Sequence, residues 1–191
     1  MKSTDLAKEL VSTCKQFGFR IVTAESCTGG LVASTIASIP GASVVLWGGL
    51  VAYDRAAKVA LLGFSERAVR GANVYSAEVA KEMAYGAHGL AKLHSAHARN
   101  LIALGITGVA GPGPDCGVPA GTVELAAVHT GMMYEGVVED GWTTHIRRLK
   151  LHNKSRDEVR DGAVVAALEL LIDATNQLHE IVTAIQFSLP A

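Results

Sequence analysis

The chain has 191 residues, 49% of them hydrophobic and 18% charged, with 17 Lys+Arg against 18 Asp+Glu and a net charge of −1. At about 150 residues per domain, one domain over 1–191 is the default, and it can bury a core without disulfides or metals. The composition excludes disorder and lacks the basic excess of a protein built to hold long nucleic acid.

Residues 4–17 read as an amphipathic helix, with Leu6, Leu10, Val11 and Cys14 at helical spacing and Gly18 as its stop. FRIVTA, 19–24, reads as a strand. ESCTGG then opens an apolar helix over roughly 28–38, closed by Pro40-Gly41. SVVLWGGLVAY, 43–53, is strand-like, with Gly48-Gly49 marking a bulge or a close backbone approach. A short helix follows over 54–62, a second is expected from Ser65, and a longer one over 76–93 has Ser76 as its N-cap. LIALGI, 101–106, reads as a buried strand. TGVAGPGPDCGVPAG, 107–121, holds three of the five prolines and reads as a loop. Strands are expected at 122–129 and 142–151, paired as a hairpin, and a helix over 155–176. The periodicity leaves the tail beyond 178 unassigned. Interspersed helices and strands imply a three-layer α/β domain, and the hairpin makes its sheet mixed.

No apolar run reaches the roughly 18 residues that span a bilayer. The N-terminal MKSTDLAKEL is charged where a signal peptide needs an apolar stretch. Cys14, Cys27 and Cys116 are odd in number and widely spaced, so neither a disulfide framework nor a cysteine zinc site is expected. The expected location is cytoplasmic.

Three segments carry chemistry. In Glu25-Ser26-Cys27-Thr28-Gly29-Gly30, Ser26 falls between a strand and a helix, where α/β folds place ligands. Amides of the helix's first turn can hold an anion or an oxyanion there, and the glycines admit a ligand close to the backbone. Alternatively Ser26 or Thr28 simply caps the helix. The segment is not a G-x-S-x-G elbow, since Ala24 and Thr28 occupy the glycine positions. In VAYDRAAK, Lys58 can be the base for a serine hydroxyl if burial keeps it neutral, and Tyr53 can relay the proton. The other reading is a solvated lysine and an ordinary tyrosine. In the 107–121 segment, GVAGPG begins like a Walker A loop, but Pro114-Asp115 stand where Lys and Ser/Thr are needed. Its amides can still cradle a phosphate, or the segment is only a rigid connection. Thr107, at its start, is a candidate ligand contact.

His94 and His97 lack partners at metal-ligand spacing, so no metal site is expected. Arg147, Arg148 and Lys150 form a basic stretch, and Arg156 and Arg160 share a helix face. Each set is either an ion-paired face or a phosphate clamp.

The pieces TAESCTGGLVAS, GGLVAYDRAAKVALLG, GITGVAGPG, VPAGTVELA and RDEVRDGAVVAALELL occur in this order over about residues 5–175. Together they resemble the C-terminal domain of the competence/damage-inducible protein CinA, a family whose stand-alone relatives are nicotinamide-nucleotide amidases. AESCTGG followed by GITGVAGP carries the specificity of the match. The resemblance implies a three-layer α/β/α sandwich with a mixed sheet, and a homodimer, which the high apolar content also favours. It implies hydrolysis of nicotinamide mononucleotide to nicotinic acid mononucleotide and ammonia, without a metal or redox cofactor. The partner would be a small nucleotide, not nucleic acid or a membrane. The family's serine, tyrosine and lysine match Ser26, Tyr53 and Lys58. Its substrate-binding positions match Thr28, Gly29, Gly30, Thr107, Gly108 and Gly111. The sequence departs from the family at Asp54-Arg55-Ala56-Ala57, where an Asn-Glu pair is usual before Ala-Lys. That change removes a carboxylate and adds a cation able to depress the Lys58 pKa. At PDCGVPAG a lysine of the usual pattern is missing. A nucleotide-binding module that kept the pocket without turnover is the alternative reading.

Overall fold

In the computed structural model, residues 2–94, 100–130, 133–134, 137–138 and 141–188 are described. Helix α1 (Ser3–Phe17) buries the Leu6, Leu10, Val11, Cys14 stripe and ends at Gly18. Strand β1 (Arg20–Glu25), helix α2 (Leu31–Ala37) and strand β2 (Leu46–Val51) follow, with a 3-10 turn at Ala42–Val44. Helix α3 (Arg55–Leu62) is joined by a second 3-10 turn, Gly71–Tyr75, to helix α4 (Ala77–Leu93). Ser76 caps α4, its side chain accepting from the Val79 amide at 3.2 Å. Strands β3 (Leu101–Val109) and β4 (Thr122–Thr130), the short β5 (Met133–Tyr134) and β6 (Val137–Val138), strand β7 (Trp142–Lys150) and helix α5 (Arg156–Ser188) complete the order.

The main sheet runs β2-β1-β3-β4-β7. The β2, β1 and β3 strands are parallel, and β4 and β7 are antiparallel to their neighbours, so the sheet is mixed. Alternation along the strands sorts the core into two layers. Ile102, Leu104, Ile106, Val123, Leu125 and Ala127 pack with α1, α2 and α5. Val22, Ala24, Ala103 and Val128 pack with α4 and the loops around α3. Each fully buried Leu or Ile contributes ~2 kcal/mol. The fold is thus a three-layer α/β/α sandwich, as the alternating elements predict.

The connections leave β1 toward β2 on one side and return to β3 on the other. That reversal opens a crevice at the carboxyl ends of β1 and β3, the place where α/β sheets hold ligands. The Ser26 turn and the 110–121 loop meet there.

Several boundaries differ from the sequence reading. The segment 107–109 belongs to β3, not to the loop, because Thr107 and Gly108 pair with Glu124 and Val123 of β4. Helix α2 begins at Leu31, since Gly29 and Gly30 take φ of 63° and 93°. Residues 42–44 are a 3-10 turn rather than strand. At the bulge, Ile21 pairs with Leu46 but Val22 with Gly48, and a Cβ on Gly49 would meet the Ala33 Cβ at 2.7 Å. The helix expected from Ser65 is only a run of turns. The tail is helical, as α5 continues to Ser188. Among the described residues no helix is long and apolar enough to cross a membrane.

Candidate functional site

Glu25 ends β1, and its buried carboxylate turns toward the start of α2. It accepts from the amides of Gly30 at 3.0 Å, Val32 at 3.1 Å and Ala33 at 2.8 Å, and from the Thr23 hydroxyl at 3.0 Å. Glu25 therefore satisfies the helix N-terminus. The helix-cap reading of Ser26 and Thr28 is corrected, because neither side chain meets an α2 amide. Sequence reasoning missed Glu25. The signal was an acid immediately before a turn with two glycines, which lets the chain wrap its own helix start around a carboxylate.

Freed from capping, Ser26 Oγ accepts a hydrogen bond from Lys58 Nζ at 2.9 Å. Lys58 lies on α3, oriented by an Asp54 cap whose carboxylate accepts from the Ala56 amide at 2.7 Å. Its ammonium also donates to the carbonyls of Ala52 at 2.8 Å and Tyr53 at 3.4 Å. Lys58 is only 1% exposed. Burial pushes its pKa down to about 8; Arg55 pushes the same way, against Cys27 and Asp54. The solvated-lysine reading is thus excluded.

Cys27, the neighbouring thiol, is buried and pushed up to about 12, chiefly by desolvation. It stays a thiol near neutral pH and is a poor nucleophile in that form.

A cleft of about 400 Å³ opens over Ser26 and Lys58. The 108–115 segment forms one wall, so Gly108 and Gly111 line it. Tyr53 lines it too, but its hydroxyl meets an Arg156 nitrogen at 2.6 Å. It is the Tyr53 carbonyl, not the hydroxyl, that touches Lys58. Gly29 and Gly30, at the start of α2, do not line the cleft. Thr28 is buried with its hydroxyl unpartnered, and its carbonyl accepts from Arg160 at 3.1 Å. Thr107 is buried and donates to the Val74 carbonyl at 2.8 Å, so it anchors the 3-10 turn beside the cleft rather than lining it.

Tyr75 also reaches the cleft, which no sequence motif announces, and so does Arg156, one of the two arginines read as sharing a helix face. The Tyr75 hydroxyl bonds the Asp115 carboxylate across the mouth. Burial and that carboxylate push the Tyr75 pKa up to about 12. Arg156, the first residue of α5, spans from Tyr53 to the Gly111 carbonyl. Of the other basic residues, Arg147 pairs with Glu169 at 2.8 Å and Asp173 at 2.9 Å, and Arg148 pairs with Glu124. Those two arginines form an ion-paired face. His94 is exposed, and His97 lies outside the described residues. Among the described residues no group of His, Cys, Asp and Glu is arranged to hold a metal.

The arrangement offers a hydroxyl bonded to a buried, easily neutralised amine. Among the described residues no backbone carbonyl accepts from the amides of Cys27 and Thr28, which follow the hydroxyl.

The family model of the CinA C-terminal domain matches residues 3–175. A CinA-like protein of Kosmotoga olearia is 37% identical over 166 residues, 87% of this chain and 36% of its own length. A CinA-like protein of Shewanella amazonensis is 33% identical over 171 residues, covering 88% and 36%. The chain thus spans about a third of the length of the curated relatives it matches. The crystal structure of a competence/damage inducible protein from Agrobacterium tumefaciens superposes with a TM-score of 0.74 and 31% identity, covering 91% of this chain and 95% of that one. A CinA superfamily protein from Klebsiella pneumoniae superposes at 0.76 with 26% identity, covering 93% and 99%. The mixed-sheet α/β sandwich is the one these relatives share, and the chain belongs to the CinA C-terminal domain family.

Proposed function

We propose that the chain is an amidohydrolase that deamidates nicotinamide mononucleotide, with Ser26 as nucleophile, Lys58 as base and residues 1–191 acting as one domain. The observation that carries this reading is the 2.9 Å contact between Ser26 Oγ and a lysine whose pKa burial lowers to about 8. The substrate comes from the family resemblance.

Neutral Lys58 takes the Ser26 proton as Oγ attacks the carboxamide carbon. The pyridinium ring makes that carbon more electrophilic. The oxyanion forms against the Cys27 and Thr28 amides, since Glu25 already occupies those of Gly30, Val32 and Ala33. Protonated Lys58 returns the proton to the departing ammonia. Water, activated by the same amine, then cleaves the acyl-serine. Arg156 stands where it can meet the substrate phosphate, and Tyr53 steadies that arginine rather than relaying the proton.

The test is ammonia release from nicotinamide mononucleotide by the wild type and three variants. Ser26→Ala should lower kcat by about 10³-fold or more, roughly 4 kcal/mol. Lys58→Met should cost a similar factor, and the double variant little more, because nucleophile and base act as one unit. Cys27→Ala should keep most activity. A fully active Ser26→Ala protein would end this mechanism. Tight binding without ammonia release by the wild type would favour the non-catalytic module. Chelator should leave the rate intact, and a rate abolished by chelator and restored by zinc would contradict the mechanism.

A further inference from the structure

Beside the Ser26 cleft lies a second one of about 330 Å³, lined by Arg55, Ala56, Val59, Glu66, Val69 and Arg70. The two clefts share one wall residue, Arg55. Ala56, Val59 and Val69 give the second an apolar lining. Its rim is charged, with Arg55 on one side and Glu66 and Arg70, 4.0 Å apart, on the other.

Arg55 is held in place but not neutralised. One guanidinium nitrogen donates to the Gly71 carbonyl at 3.3 Å and to Cys116 Sγ at 3.2 Å. Neither partner is a carboxylate. The two acids of the first cleft are engaged elsewhere: Asp54 caps α3, and Asp115 accepts from Tyr75. Two arginines, Arg55 and Arg156, therefore face the first cleft, and among the described residues neither is ion-paired with a carboxylate. A mononucleotide brings one phosphate, which one arginine can hold. The second arginine and the slot beyond it would have no partner.

Each cleft alone falls at the lower end of the ~300 to 1,000 Å³ usual for ligand sites. The pair suits a longer molecule. The second cleft fits a flat ring. Ala56, Val59 and Val69 give it an apolar lining, and Arg55 and Arg70 on its rim are side chains able to stack on aromatic faces.

We propose that the second cleft receives the distal base of a dinucleotide, whose pyrophosphate crosses Arg55 while its carboxamide reaches Ser26. This rests on the amidohydrolase reading. The reaction stays the same. The carboxamide C–N bond breaks, water supplies the new C–O bond, and the products are the carboxylate and ammonia.

The inert Ser26→Ala protein separates binding from turnover. Calorimetric titration with nicotinamide mononucleotide and with nicotinamide adenine dinucleotide should show the dinucleotide binding about tenfold tighter or better. Adding Ala56→Trp, which fills the second cleft from an exposed helix position, should collapse that ratio to about threefold or less. Arg70→Glu, on the rim, should lower it in the same direction and guards against a misfolded tryptophan variant. A dinucleotide that binds no tighter than the mononucleotide overturns the inference. So does a ratio that neither substitution moves in proteins with unchanged melting temperature. Ammonia release by the wild type distinguishes the two readings. Turnover of the mononucleotide with no dinucleotide preference removes the second subsite alone. A strong dinucleotide preference without turnover of either ligand removes the amidohydrolase and leaves the subsite.

Discussion

Lys58 is predicted to weaken the fold it serves. A lysine whose pKa falls from 10.5 to about 8 on folding binds its proton less tightly in the native state. That difference is worth about 3 kcal/mol against the folded protein wherever both states are charged. The sign follows from proton counting. Below pH 8 both states hold the proton and the cost is complete. Between about pH 8 and 10.5 only the unfolded chain keeps it, so stability rises with pH through that window. Lys58→Met removes the charge and keeps much of the volume. It also strands the carbonyls of Ala52 and Tyr53, which now accept from Nζ. An unsatisfied buried acceptor costs about 1 to 3 kcal/mol. The Tyr53 bond is long, so the two acceptors together cost about 2 kcal/mol, the low end of that range, and the balance is a net gain of about 1 kcal/mol near neutral pH, a rise of roughly 3 °C in Tm for a chain of this size. The assay is thermal or urea unfolding of both proteins from pH 7 to 10. The wild type should gain stability relative to Lys58→Met as pH rises. A variant that loses more than about 2 kcal/mol at pH 7, with the same pH slope as the wild type, would refute the reasoning.

The same pKa sets a rate. If only neutral Lys58 is competent, kcat/KM should climb about tenfold per pH unit below neutrality and level off above about pH 8. A profile flat from pH 6 to 9 would contradict this. Glu25→Ala should lower Tm by about 9 °C, because three amides at the start of α2 lose their acceptor at a cost of about 3 kcal/mol. A change under about 2 °C would mean that water replaces the carboxylate. The chain should sediment as a homodimer at micromolar concentration, and a monomeric mass would count against that expectation.

What was legible in the sequence were the features set by local pattern. The α1 stripe, the Ser76 cap and the placement of Ser26 between a strand and a helix all follow from residues a few positions apart. The Gly48-Gly49 signal worked for the same reason, since a strand glycine marks a close neighbour. The misses depend on distant partners. Gly108 looked like loop but sits in β3, because the opposing Val123 backbone leaves no room for a side chain: a Cβ there would meet the Val123 Cα at 2.8 Å. Arg156 and Arg160 were read as one helix face. Tertiary packing gives them separate targets, Tyr53 for one and the Thr28 carbonyl for the other. Tyr75 and Asp115 are 40 positions apart, and no spacing rule pairs them. Glu25 was hidden differently. A buried glutamate at a strand end is unfavourable until three amides are counted against it, and those amides exist only once the turn has formed.

Arg156 reaches Tyr53 across 103 positions of chain. Ser26 and Lys58 are separated by only 32. A polypeptide made from its amino end therefore carries both the Ser26 hydroxyl and the Lys58 amine long before the helix that supplies the arginine has left the ribosome. In such a nascent chain nothing yet holds Tyr53 or bridges to the glycine wall. Docking of the last helix would then be the event that turns a reactive pair into a selective one, and ligand capture would report completed synthesis rather than the earliest folding.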